Sequence, residues 1–273
     1  CPLGIPTTLR RLIASHIAHT FREKFARHML PYNYAVGTPN GANLIINTIQ
    51  LQIEKYITHP ESIGKTPTRA AVFFDLTNQF NSVSREAFFD VIKESFPEIL
   101  PLTSLFYDEP GTVHHKWADG TWRTLLMEEG VSQGCPFSPI FASLVITRLL
   151  QPLDALLQAH TSERLLAGHK GDDNNGGVTQ LMGFVDDVSS CVPLEDLQFL
   201  CDNFNNIGTP LGCFVNPMKT RILTSTSGRS PLDSLAILNP TLATSISNTI
   251  ATYSTKPNTT DRDGPAIPVE LTQ

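Results

Sequence analysis

Two adjacent aspartates, Asp186 and Asp187, interrupt an otherwise apolar run at residues 181–192. Such a run predicts a strand, in which two neighbouring carboxylates repel each other and lose solvation. The pair is therefore costly unless a cation compensates for it. Because only hard oxygen ligands are present, the sequence favours Mg²⁺ or Mn²⁺ over zinc.

The ordinary alternative for two consecutive aspartates is an acidic turn at the surface. A second pair, Asp172 and Asp173, fits that alternative because glycine, asparagine and lysine surround it. We interpret this second pair as a solvated loop. The apolar surroundings distinguish the pair at Asp186, which stays the candidate metal site.

The composition indicates a globular chain of one domain or two lobes. Its 273 residues are 41% hydrophobic, which is enough for a substantial core. No secretory signal opens the sequence, and we expect no apolar run as long as a membrane span, hence no membrane partner. The five cysteines form no Cys-x-x-Cys pair, which is typical of reduced thiols in an intracellular protein, nuclear or cytoplasmic and not secreted. Since residue 1 is Cys rather than Met, we expect a fragment of a longer polypeptide.

Charge is distributed unevenly along the chain. Residues 1–30 carry +4, because five Lys and Arg residues face the single acid Glu23, although the whole chain carries −6. The rest of the chain therefore carries −10. A basic segment joined to an acidic body is compatible with a polyanion lying on one face, but does not require one.

Hydrophobic periodicity predicts alternating helices and strands. Residues 8–30 and 42–58 have the spacing of amphipathic helices, and residues 70–74 form a buried strand that Asp75 ends. Ser84 is expected to cap a helix that reaches about Phe96. The other predicted elements are a hairpin at 112–127, a helix at 138–157, a hairpin holding Asp186, a helix at 194–207 and a strand at 220–224.

This order of elements predicts an α/β (α+β) fold of the split βαβ type. Such a fold can place Asp75 beside Asp186 and Asp187, although they lie far apart in the sequence. Three carboxylates at strand ends suit a two-metal site, which clamps the attacking and leaving oxygens of an in-line displacement. The sequence therefore predicts phosphoryl or nucleotidyl transfer.

Four segments resemble the motifs of reverse transcriptases in their order and spacing. They are residues 73–83 (Phe-Phe-Asp-Leu-Thr-Asn-Gln-Phe-Asn-Ser-Val), 129–139 (Glu-Gly-Val-Ser-Gln-Gly-Cys-Pro-Phe-Ser-Pro), 184–187 (Phe-Val-Asp-Asp) and 212–220 (Gly-Cys-Phe-Val-Asn-Pro-Met-Lys-Thr). The segment at 129–139 most resembles non-LTR (LINE-type) retrotransposons, with group II intron enzymes second. The resemblance covers about residues 1–225.

The resemblance implies a right-hand polymerase made of fingers and palm, with an antiparallel palm sheet packed on helices. Residues 1–69 would be partial fingers. Residues 70–225 would be the palm, with the hairpin at 112–127 on the fingers side. No thumb is recognisable. Residues 226–273, rich in Ser, Thr, Pro and Asn, are expected to be a mobile tail.

The resemblance also implies a catalytic set. Asp75, Asp186 and Asp187, with the main-chain carbonyl of Leu76, would hold two Mg²⁺ ions, or Mn²⁺. One ion would lower the pKa of the primer 3′-hydroxyl and the other would neutralise the departing pyrophosphate. Lys219 would protonate or screen that pyrophosphate.

Further residues would contact the substrates. Phe80 matches the steric gate that occupies the space of a ribose 2′-hydroxyl. Gln133 and Gly134 would lie against the incoming nucleotide, where a glycine lets the backbone approach closely. Arg10 and Arg11 would contact the template or the triphosphate, with a solvent-facing helix as the alternative.

The function implied by the resemblance is template-directed DNA synthesis by a fragment of a retroelement polyprotein. Its partners would be an RNA template, a DNA primer and deoxynucleoside triphosphates. The second interpretation is an inactive remnant or domesticated module that binds nucleic acid or protein. The missing thumb, and Cys1 where the family has arginine, favour that alternative. A viral RNA-directed RNA polymerase is disfavoured by Phe80 and by Val185, where glycine is expected.

Overall fold

A computed structural model describes residues 6–58, 69–166, 180–216 and 218–224. The predicted loop at Asp172 and Asp173, the predicted tail at 226–273 and residue Cys1 lie outside these ranges. Within them the chain forms eight α-helices and six β-strands. The helices are α1 (Thr8–Thr20), α2 (Arg22–Met29), α3 (Gly41–Ile53), α4 (Gln79–Ser82), α5 (Arg85–Ser95), α6 (Leu100–Tyr107), α7 (Ser138–Leu166) and α8 (Leu197–Gly208). The strands are β1 (Arg69–Phe74), β2 (Gly111–Lys116), β3 (Trp122–Met127), β4 (Met182–Phe184), β5 (Asp187–Pro193) and β6 (Arg221–Thr224).

Four of the strands form an antiparallel sheet in the order β4-β5-β1-β6. The central strand β1 is buried, with Ala70, Ala71 and Val72 each 0% exposed, as its continuous apolar run predicts. Strand β5 lies along one side of β1 and places Val188 opposite Phe74. The predicted combination of helices with an antiparallel sheet is therefore confirmed.

Helix α7 lies at the centre of the hydrophobic core. It contacts α5, α8 and β4, and most of its apolar side chains are buried among them. The Phe141 ring stacks on Phe88 at 4.8 Å and on Phe137 at 5.1 Å between centroids. These aromatic contacts fix α7 against the segment that follows β1, and so hold the layer beneath the sheet.

Helix α7 is also long and apolar enough to cross a membrane, judged by length and composition alone. The expectation that no apolar run reaches that length is therefore wrong. However, 67% of its most apolar window is buried inside the fold, as in the core helix of a globular protein. The apolar character of α7 is accounted for by this burial.

Helix α7 extends nine residues beyond its predicted end at Leu157. A polar contact explains the extension. Thr161 and Arg164 on its last turns bond the carboxylate of Asp196, which is 0% exposed. The helix continues because this buried acid, which comes before α8, anchors its end.

The predicted helix at 8–30 is broken at Phe21 into α1 and α2. The apolar positions at Phe25 and Met29 are buried as the spacing predicts, but those at Leu9 and Leu12 are 68% and 64% exposed. Arg10 faces inward instead: its guanidinium lies 4.5 Å from the Phe106 ring centroid and donates a hydrogen bond to the Phe106 carbonyl. Contact with the aromatic end of α6 therefore outweighs the local pattern.

Candidate active site

Sheet pairing brings the predicted carboxylates to one edge of the fold. Asp75 directly follows β1, whose last residue Phe74 lies opposite Val188. The hairpin of β4 and β5 pairs Phe184 with Asp187 and leaves the next acid, Asp186, in its turn. The prediction that the distant aspartate meets the later pair is therefore supported by the register of these strands.

Electrostatics show that the three side chains interact. Burial raises the pKa of Asp186 above its ordinary value, and the charges of Asp187 and Asp75 raise it further. Burial and the charge of Asp75 likewise raise the pKa of Asp187. Desolvation and like charges therefore both oppose ionisation at this edge. A cation placed between the carboxylates would relieve both effects.

The side chains of the described residues form no group of three or more His, Cys, Asp or Glu ligands placed to hold a metal ion. The donor chemistry nevertheless fits a hard divalent cation, because three carboxylates share this edge and their mutual charge raises two of the pKa values. Binding would therefore require them to turn towards a shared ion.

The chain beyond α8 holds Asp75 and Leu76 in place. The Asn216 amide donates to the Asp75 carbonyl (2.8 Å), and the Thr77 amide donates to the Phe214 carbonyl (2.7 Å). Leu76 thereby pairs with Val215 in an antiparallel bridge. In this pairing the carbonyl of Leu76 is not bonded to the 214–216 segment.

Lys219 lies near the carboxylates, as predicted. Its Nζ is 4.0 Å from Asp75 Oδ1, and its side chain is 67% exposed. Next to it, the Thr220 hydroxyl accepts a hydrogen bond from the Asp75 amide (3.3 Å). An exposed ammonium group is thus held beside the first catalytic candidate, where it can reach a bound anion.

Asn33, which the sequence analysis missed, supports the turn that carries the aspartate pair. It is 0% exposed, and its Nδ2 donates a hydrogen bond to the Val185 carbonyl (3.2 Å). Val185 needs this support because its φ of 57° is a left-handed conformation that β-branched residues rarely adopt. The backbone of Asn33 also pairs with Gly183 in a parallel bridge. The only local signal was a polar residue between Tyr32 and Tyr34.

The predicted gate and nucleotide loop are joined to each other. The Phe80 carbonyl accepts a hydrogen bond from the Val131 amide (2.6 Å), and Phe80 itself is half-buried. In the same loop Gln133 is half-buried, and Gly134 is exposed with a φ of 92°. The left-handed φ explains why glycine occupies that position.

The predicted arginines have different surroundings. Arg10 is engaged with α6, since its guanidinium lies 4.9 Å from the Tyr107 ring centroid in addition to its contact with Phe106. Arg11 is exposed on α1. A contact of Arg10 with template or triphosphate would require this packing to break, so the structure assigns it a role within the fold. The role of Arg11 stays a prediction.

The family described as "Reverse transcriptase (RNA-dependent DNA polymerase)" matches residues 7–251 of the chain. No curated protein is significantly similar to this chain.

The fold is similar to solved structures of telomerase. Telomerase from Candida tropicalis in complex with the TWJ fragment of telomeric RNA aligns with a TM-score of 0.53 and 17% identity over 82% of this chain. Telomerase from Candida albicans with the same kind of fragment gives 0.50 and 16% over 81%. Apo telomerase from Candida tropicalis, truncated from its C-terminal domain, gives 0.51 and 16% over 82%. The alignments span 34%, 34% and 41% of those chains, respectively, so this chain corresponds to less than half of each.

Proposed function

The chain belongs to the reverse transcriptase (RNA-dependent DNA polymerase) family, and on this basis we propose that it copies an RNA template into DNA. The substrates would be a DNA primer paired with the RNA and deoxynucleoside triphosphates. The observation that carries the proposal is the strand register that places Asp75, Asp186 and Asp187 at the same edge of the sheet. The fold shared with telomerase solved with a telomeric RNA fragment supports the RNA partner.

We propose that Asp75, Asp186, Asp187 and the Leu76 carbonyl hold two Mg²⁺ ions, or Mn²⁺. When bound, these ions would activate the primer 3′-hydroxyl and neutralise the departing pyrophosphate. The protein itself would orient the reacting groups. In particular, the Lys219 ammonium beside Asp75 would screen the negative charge of the pyrophosphate.

The other predicted residues would select the nucleotide. The Phe80 ring would occupy the space of a 2′-hydroxyl. The Phe80 main-chain carbonyl, which accepts a hydrogen bond from the Val131 amide, would fix the gate against the loop of Gln133. Gly134 would let the backbone of that loop approach the nucleotide, since no side chain stands in the way. Sugar choice and nucleotide binding would thus be coupled through one hydrogen bond.

We further propose that the chain derives from a retroelement of the non-LTR type and acts inside the cell. The sequence at 129–139 supports that origin, and group II intron enzymes are the second candidate. In this proposal residues 1–69 are fingers and residues 70–225 are palm. An inactive remnant or domesticated module that binds nucleic acid or protein is the competing proposal.

Primer extension tests the function directly. The 273-residue chain should incorporate dTTP on a poly(rA)/oligo(dT) duplex with Mg²⁺ or Mn²⁺, because Asp75, Asp186 and Asp187 lie at one edge of the sheet and can turn towards a shared ion. Labelled primer resolved on a gel measures the incorporation. Folded protein that adds no nucleotide under either metal would instead support the remnant.

Sugar selection tests the gate. Phe80→Ala should lower the preference for dTTP over UTP by about tenfold or more, because removing the ring opens space for the 2′-hydroxyl. The ratio of kcat/KM for the two nucleotides measures this preference. Phe89→Ala is the matched control, since Phe89 is a half-buried phenylalanine on α5 outside the four motifs. Equal ratios in the Phe80 variant and the wild type would remove the gate assignment.

A further inference from the structure

The β2–β3 hairpin projects from the fold as a separate two-stranded sheet. Its two strands pair from Gly111 opposite Met127 to Lys116 opposite Trp122, and the turn at Gly120 has the left-handed φ of 83° that the Asp-Gly pair predicts. Most of its side chains are exposed. A projecting hairpin with so much exposed surface needs an explanation beyond the stability of the fold.

We propose that one face of this hairpin binds single-stranded RNA. Directly opposed residues on antiparallel strands point to the same face, and so do residues two positions apart. Lys116 and Trp122 therefore share a face with His114 and Thr124, which form the next pair on that side. We call these four residues the stacking face.

The stacking face has the chemistry of a single-strand binding surface. Trp122 is 68% exposed, which is unusual for an indole and offers a ring on which an unpaired base can stack. Lys116 lies directly across from it, within reach of the phosphate that follows such a base. Aromatic rings interleaved with cations are typical of proteins that bind single strands without sequence preference.

Charge complementarity favours a polyanion over a protein as the partner. The chain carries −6 and four acids flank the hairpin (Asp108, Glu109, Glu128 and Glu129), yet the hairpin itself contains Lys116 and Arg123 against a single acid, Asp119, a net charge of +1. That acid is already satisfied, because Thr121 and Arg123 bond its carboxylate, and the Thr121 hydroxyl lowers its pKa. It therefore does not offset the charge of Lys116.

The opposite face of the hairpin is occupied by its own contacts. The Arg123 guanidinium lies 4.4 Å from the Trp117 ring centroid, and the His115 ring meets the same indole edge-on at 6.1 Å. The side chains of this opposite face therefore pack against one another. The stacking face carries the more exposed tryptophan, since Trp117 is only 43% exposed.

The base of the hairpin is fixed by a buried arginine. Arg85, 9% exposed, donates hydrogen bonds to the carbonyls of Glu109 (3.3 Å) and Met127 (2.8 Å), one at each end of the hairpin. It also donates to the Gly130 carbonyl (3.0 Å), in the loop that leads to Gln133. The hairpin is thus held in a set orientation next to the predicted nucleotide loop, which lowers the entropy lost on binding. This inference rests on the proposed function only in identifying the bound strand as a template.

Fluorescence anisotropy with a labelled single-stranded 20-mer RNA tests the proposal without nucleotides or metal. Trp122→Ala should weaken binding about fivefold or more, because one base loses its stacking partner. Lys116→Ala should weaken it too and reduce the slope of log Kd against log salt concentration by about 0.7, since one phosphate contact is lost. Circular dichroism should show unchanged folding, as both side chains are at the surface.

Two matched controls separate the stacking face from general effects. Lys93→Ala removes another exposed positive charge, on α5, and Leu105→Ala removes a side chain that is 76% exposed on α6. Both should bind the RNA as the wild type does. The proposal would be overturned if Trp122→Ala and Lys116→Ala also bound the RNA as tightly as the wild type does. It would also be overturned if the wild-type chain bound no RNA.

The main competing partner is a second copy of the chain. Sedimentation that shows a dimer lost in Trp122→Ala, with RNA binding unchanged, would make the hairpin a protein interface and overturn the proposal. Failure of the proposed function is distinguishable from this result. A chain that extends no primer but binds RNA through Trp122 would retain the stacking face and lose only the polymerase assignment.

Discussion

Asp186→Asn is expected to reduce dTTP incorporation by about 10²- to 10³-fold, the effect of removing one charged group from a preorganised site. The amide keeps the shape of the side chain but removes the charge that a divalent cation would neutralise. Primer extension under the conditions used for the wild type measures the loss. Asp108→Asn is the control, because Asp108 is an exposed acid that follows α6.

The same substitution should not weaken the fold. The pKa of Asp186 is raised by burial and by the charges of Asp187 and Asp75, so its ionised form is disfavoured in the folded chain. The stability that this carboxyl contributes is present below its ordinary pKa and is lost as pH rises through the raised pKa. In Asp186→Asn that pH-dependent loss is removed.

Urea unfolding in the absence of divalent cations measures whether stability falls with rising pH as expected. Between pH 4 and pH 7 the wild type should lose more stability than Asp186→Asn, and Mg²⁺ should restore stability to the wild type at pH 7 by binding only the folded state. An Asp186→Asn variant that loses both activity and folding would contradict the electrostatic account. An active variant would remove Asp186 from the catalytic set.

Residues that meet through strand pairing were predictable from the sequence. Asp75 ends an apolar run, and Asp186 lies in a second one, so antiparallel pairing of the two runs brings the acids together. The turn at Gly120 and the cap at Ser84, whose hydroxyl accepts from the Ala87 amide (3.2 Å), were equally predictable. In each case the signal lies within a few residues of the feature.

Contacts of side chains between remote segments that do not pair as strands were not predictable. The hydrogen bond of Arg10 to Phe106 joins residues 96 positions apart, and that of Asn33 to Val185 joins residues 152 positions apart. The sequence around Arg10 or Asn33 does not indicate such a partner. For Arg10, the local pattern favoured a solvent-facing position. These two side chains show that periodicity assigns faces only where no distant polar or aromatic group competes.

Gly212→Ala is expected to destabilise the chain by about 2–5 kcal/mol, from the left-handed backbone and from overpacking together. Gly212 has a φ of 74°, and a Cβ there would lie 1.8 Å from the Ser82 carbonyl oxygen and 2.9 Å from the Ser84 amide nitrogen. The contact cannot relax easily, because the Ser84 amide donates to the Leu211 carbonyl (3.0 Å) and the Ser82 hydroxyl to that of Gly212 (2.8 Å). Urea unfolding followed by circular dichroism measures the change.

Gly120→Ala separates the two causes. Gly120 has a similar φ of 83°, but a Cβ there would meet nothing within 4 Å, so this variant carries the backbone cost alone. The excess destabilisation of Gly212→Ala over Gly120→Ala then measures the clash with Ser82. The clash matters for activity, since the residues after Gly212 pair with the chain at Leu76 and position the first aspartate. Equal destabilisation of the two variants would show that the contact between Gly212 and Ser82 relaxes to accept a Cβ. The placement of Asp75 would then not depend on this contact.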